Sequence, residues 1–77
     1  MTSNDAPTVG RIVHYNDYGI HEAAIVTRVD LYYDGYVDLT VFAPGEPPRC
    51  ELHVGYHAGP DYPGRTWHWP ERQEAQR

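Results

Sequence analysis

The chain has no lysine at all, and all six of its cationic side chains are arginine. Every cationic contact it makes therefore uses a planar guanidinium fork rather than a compact ammonium. Against eleven acidic residues this leaves a formal charge of −5. A chain of that sign repels a phosphate backbone, so sequence-independent binding to nucleic acid is not expected. Serine is nearly absent too: Ser3 stands alone, in the polar lead-in, which removes the supply for a Ser–His nucleophile. A single cysteine, Cys50, excludes an internal disulfide and any zinc site built on paired thiolates. No apolar run approaches the length of a membrane span, and Met1–Pro7 has neither the basic nor the apolar region of a signal peptide. The expected setting is a cytoplasm, without membrane or nucleic-acid partner.

Length is scarce as well. Seventy-seven residues bury only roughly 60% of the surface of the unfolded chain, enough for one thin core. Two-domain enzymes and repeated β-α units are excluded. Into this small frame the sequence puts ten aromatic residues, seven of them tyrosine. Tyrosine buries a ring but keeps its hydroxyl wet or bonded. The excess points either to a binding surface or to a tyrosine-rich outer sheet face.

The pattern along the chain is that of short strands. Residues 1–8 read as a disordered tail, 9–70 as one β-barrel domain and 71–77 as a short polar tail, frayed or a helical stub. Val9–Tyr15 alternates as a first strand, and Asn16-Asp17-Tyr18-Gly19 is a turn cluster. Glu22–Tyr33 is rich in β-branched residues and reads as a second strand. Asp34-Gly35 has the composition of a two-residue type I′ hairpin turn. In Tyr36–Ala43 the residues Val37, Leu39 and Val41 point inward. Three prolines in Pro44–Pro48 end that strand. Arg49–Val54 follows, with Cys50, Leu52 and Val54 inward, and Thr66–Pro70 closes the domain. Four to five short strands joined by tight turns predict an all-β fold, a small antiparallel SH3-like barrel.

Pro7-Thr8-Val9-Gly10-Arg11-Ile12-Val13-His14-Tyr15, Ala23-Ala24-Ile25-Val26-Thr27, Val41-Phe42 and the closing Gly64-Arg65-Thr66-Trp67-His68-Trp69-Pro70-Glu71 carry a resemblance. Together they resemble a group of small proteins encoded by actinobacterial phages. The likeness spans nearly the whole expected domain. It implies a viral setting and the cytoplasm of an infected host. It implies no activity and contributes no site residues.

Candidate chemistry is sparse. His14, His21, His53, His57 and His68 show no recognised zinc spacing, and read as surface or half-buried histidines; no metal and no cofactor are expected. Cys50 and His53 fall on opposite faces of a strand, so they do not form a nucleophile and base. Asp30, Asp34 and Asp38 surround a turn and read as solvated acids. The expectation is a protein that is not an enzyme. Trp67 and Trp69 share a strand face, and either close the barrel or pack on a neighbour. With Tyr15, Arg28, Tyr36 and Arg65 they form the expected binding set, suited to cation–π contact and phosphate recognition. Two functions fit. One is a non-catalytic anti-defence module that captures a small nucleotide-like ligand at an inter-subunit site of a homo-oligomer, most simply a dimer. The other is an adaptor or inhibitor that binds a host protein, or a minor phage structural component.

Overall fold

The computed structural model describes residues 6–59 and 64–70. Five strands follow one another: β1 (Ile12–Asp17), β2 (Ile20–Val29), β3 (Val37–Phe42), β4 (Arg49–Tyr56) and β5 (Arg65–His68). They close into a barrel in chain order, with β5 returning to β1, and no helix occurs among the described residues. The expected small barrel is therefore the fold. Residues 1–5 of the expected N-terminal tail and the whole expected C-terminal tail, 71–77, lie outside the described residues, as does 60–63 of the loop before β5.

One pairing departs from the all-antiparallel expectation. β4 runs parallel to β5, through Gly55↔Thr66 and Tyr56↔Trp67. The reason is parity. β1 to β4 alternate in direction, and β5 is antiparallel to β1. An odd ring cannot alternate all the way round, so one seam has to be parallel. His57 and Gly64 bound the connection between the two strands. Its first residue is pinned by the His57 N–H, which donates to the Trp67 carbonyl at 3.0 Å.

Strand alternation fills the interior. Val13 and Tyr15 of β1, Ala24 and Val26 of β2, Val37, Leu39 and Val41 of β3, Val54 of β4 and Trp67 of β5 make one buried cluster. The β3 set is the one its period-two pattern predicts. β4 behaves otherwise. Its ladder with β3 slips between Val37 and Leu39, and His53 there takes a left-handed φ of 55°. The extra residue inverts the alternation before the bulge relative to after it. Val54 is inward as expected, but Cys50 is exposed and Leu52 is 69% exposed. The expectation of Cys50 and Leu52 in the core is thus corrected by a bulge.

Arg49, at the start of β4, lies among carboxylates of β1, β2 and β4. It donates from Nη2 to Glu22 Oε1 at 2.8 Å and from Nε to Glu51 Oε2 at 3.0 Å, with Asp17 at 3.8 Å. These carboxylates, Glu22 first, hold the guanidinium more firmly protonated than usual.

The turns also differ from the expectation. The type I′ hairpin lies at Tyr18-Gly19, not at Asp34-Gly35. Asp17 pairs with Ile20, and both residues between them are left-handed, with φ of 53° and 94°. Asn16 locks this turn by accepting the Gly19 N–H on Oδ1 at 2.8 Å. At the second site β2 stops at Val29. Asp30 Oδ1 accepts the N–H groups of Tyr32 and Tyr33 at 2.7 and 2.9 Å and folds the chain out of the ladder. The Tyr36 N–H then donates to the Tyr33 carbonyl at 3.1 Å, and only Gly35 of the central pair has positive φ, at 84°.

This geometry separates two neighbouring substitutions. Gly35→Val should lower stability by about 1–2 kcal/mol through the enforced left-handed φ. Asp34→Ala should stay within about 0.5 kcal/mol, because Asp34 has an ordinary backbone. Urea titration of both variants checks this, and an equal loss at Asp34 would restore a type I′ turn at that site.

Candidate functional site

The sequence around β4 builds a cleft on the outside of the barrel. Gly55 carries no side chain, so the Tyr36 ring lies directly on the β4 backbone. A Cβ at Gly55 would come within 3.1 Å of Tyr36 Cε2 and Cζ. The bulge turns His53 outward, and its imidazole stacks on Tyr36 with centroids 4.5 Å apart and planes 24° apart. Tyr33 meets both rings edge-on, at 6.2 Å from Tyr36 and 5.6 Å from His53. Across from this stack are Tyr56, His57, Gly64, Arg65 and Thr66. Together with Tyr36, His53 and Gly55 they line a cleft of about 400 Å³. That is within the size range of small-molecule sites, roughly 300–1,000 Å³.

The cleft is braced from β3. Asp38 Oδ1 accepts the His53 N–H at 2.9 Å, and Asp38 Oδ2 accepts Arg28 Nε at 2.9 Å. These contacts, the His53 N–H first, hold the Asp38 carboxyl below its usual range. Asp30 is depressed as well, by the Tyr32 and Tyr33 N–H groups, and its Oδ2 lies 3.6 Å from His53 Nδ1. Two carboxylates thus fix the bulge that presents His53.

The expected binding residues separate into three groups. Tyr36 and Arg65 meet in the cleft. Arg28 is exposed but committed to Asp38, and supports the cleft from outside it. Tyr15 and Trp67 are core residues, at 0% and 1% exposure, and line no outer surface. Trp69 is half-buried; its ring packs edge-on against Trp67 at 5.3 Å and beneath the Arg11 guanidinium at 4.7 Å. Of the two expectations for the tryptophans, the first holds: Trp67 closes the barrel core and Trp69 packs against it. The outward apolar excess sits elsewhere, at Leu31, Tyr32 and Tyr33 in the β2–β3 loop, which are 88%, 89% and 61% exposed.

No protein-family model matches this chain, and no curated protein or solved structure is significantly similar to it.

Sequence reasoning left His53, Tyr56 and His57 out of the binding set. The signal for them was Gly55, a small residue inside a strand, which marks a close approach. It also left the histidines unconnected. His14 of β1 lies directly opposite His68 of β5, and His21 of β2 lies opposite Asn16, one outward position along from His14. Pairing of β2, β1 and β5 brings the three imidazoles onto one patch of the outer barrel face, far apart in sequence though they are. Their ring centroids are 5.0–6.2 Å apart.

Proposed function

We infer that this barrel is a non-catalytic binding module whose cleft takes a small ligand with a flat ring and an anionic group, of the nucleotide class. The observation that carries it is that the Tyr36–His53 stack and Arg65 line one cleft. The stack offers a flat π-surface, and stacking of a base on an aromatic side chain contributes about 1–3 kcal/mol. Arg65 offers the fork that fits a phosphate. Its present partners are two exposed contacts: Nε lies 3.6 Å from Asp17 Oδ1 and the guanidinium 5.6 Å from the Tyr18 ring centroid, on a side chain 61% exposed, and a bound anion would compete with both. Capture without turnover suits the residue supply, which lacks a nucleophilic serine. In the phage setting implied by the sequence resemblance, such a module would act by sequestering a host nucleotide signal.

Titration with nucleoside monophosphates and cyclic dinucleotides, read by calorimetry and by indole fluorescence, tests this. Trp67 is a built-in reporter, because the Tyr56 ring packs on it at 4.8 Å beneath the cleft. Arg65→Ala and Tyr36→Ala should each weaken binding about tenfold or more. If no nucleotide binds at millimolar concentration, the reading fails.

A second reading rests on a different observation, the projecting Leu31-Tyr32-Tyr33 loop. Exposed aromatic and aliphatic tips of this kind suit a protein partner, whether a host protein or another copy of the chain. Light scattering separates these two. A homo-oligomer that Tyr32→Ser dissolves would place a second copy there, and a monomer of about 9 kDa would leave a host protein as the occupant.

A further inference from the structure

We propose that His14, His21 and His68 form a binding site for a divalent transition-metal ion of the zinc class. Each histidine can present one ring nitrogen such that all three nitrogens lie within 4.8 Å of one another. An ion with Zn–N bonds of about 2.0–2.1 Å needs tetrahedral ligands roughly 3.3 Å apart. Side-chain torsions can supply that contraction without moving the strands.

Ring orientation is compatible with an ion as well as with simple edge-to-face packing. His14 meets His68 at 83°, His21 meets His68 at 68°, and His14 meets His21 at 55°. Imidazoles stacked face to face aim their in-plane lone pairs along parallel lines. Imidazoles set edge to face can aim them at one point. The platform is firm as well, because each histidine belongs to a hydrogen-bonded strand, and adjacent strands β2, β1 and β5 carry one apiece. Ala23, opposite His14 on β2, is a small residue.

Among the described residues the donor set is all-nitrogen and three in number. Imidazole suits zinc, copper and nickel, while magnesium and calcium require oxygen ligands. His68 is 3% exposed and anchors the site from below, and His21 is exposed and leaves the outer side accessible. A tetrahedral ion there keeps one position for water or an anionic ligand. The ion also joins the three strands around the barrel closure. That matters in a domain whose core is thin, since metal binding to the folded state alone adds directly to folding stability. This proposal departs from the sequence expectation of no metal.

The test uses tag-free full-length protein stripped with chelator. Zinc should bind at one ion per chain by calorimetry and mass spectrometry, and should raise the melting temperature by several degrees, reversibly with chelator. Cobalt should give the intense visible bands of a tetrahedral complex. His21→Ala removes an exposed ligand and should fold like the stripped wild type, yet bind zinc at least a hundredfold more weakly and lose the cobalt bands. Cys50→Ser, at an exposed position of β4 outside both the triad and the cleft, should bind zinc as the wild type does. The proposal is overturned if zinc binding is absent or non-stoichiometric, if His21→Ala binds as well as the wild type, or if Cys50→Ser is the variant that loses binding.

Discussion

Trp67→Ala should leave the chain unfolded at room temperature. Trp67 is the largest fully buried side chain and the only core residue that β5 supplies. Its indole N–H donates to the Gly35 carbonyl at 2.8 Å, and its ring packs against Tyr56 and Trp69. Removing it empties the barrel centre and strands a carbonyl, a loss of about 3–5 kcal/mol or more. A domain of this size has only roughly 4–10 kcal/mol in total. The thinness of the core leaves few neighbours to collapse into the space. Trp67→Phe keeps most of the volume and loses the hydrogen bond, so it should fold with a deficit of about 1–3 kcal/mol. Circular dichroism and amide dispersion in NMR read both variants. A wild-type melting temperature for Trp67→Ala would mean that the indole does not fill the barrel.

Stability should also fall steeply above pH 10, and Tyr15 should account for much of that fall. Its phenol is buried, and burial, with Glu51 and Asp17 adding to it, pushes its pKa up to about 12. The unfolded chain ionises tyrosine near pH 10. Because the folded value is the higher one, the contribution is complete below pH 10. It is lost as pH rises from 10 to 12, by roughly 2–3 kcal/mol. Among the described residues no partner hydrogen-bonds the Tyr15 hydroxyl. Tyr15→Phe should therefore be neutral or slightly stabilising at pH 7, and should flatten the alkaline decline. Urea midpoints at pH 8, 10 and 11.5 for both proteins decide it. An unchanged decline in Tyr15→Phe would assign the alkaline loss to other groups.

Legibility in the sequence followed the range of the interaction. β3 and its inward set Val37, Leu39 and Val41 were readable because a six-residue strand with a clean period of two needs no outside information. Tyr36 and Arg65 were readable as cleft residues by chemical type alone. β4 misled, because a bulge adds one residue and the sequence carries no local mark of it. The His53 φ of 55° is held from β3, by the Asp38 carboxylate. The hairpin type misled for a similar reason. Asp34-Gly35 has the composition of a type I′ turn, but Asp30 captures the Tyr32 and Tyr33 N–H groups first and ends β2 early.

By itself, the sequence determined a small all-β chain with one thin core, no disulfide and arginine as its whole cation supply, since composition and strand period are local properties. Tertiary structure decided the rest. It placed Trp67 inside and left Leu31, Tyr32 and Tyr33 outside, because a closed ring of strands has room for one indole at its centre. It made the β4–β5 seam parallel, because five strands cannot alternate around a ring. And it gathered His14, His21 and His68, because neighbours across a sheet are set by register, and register is established only when distant strands pair.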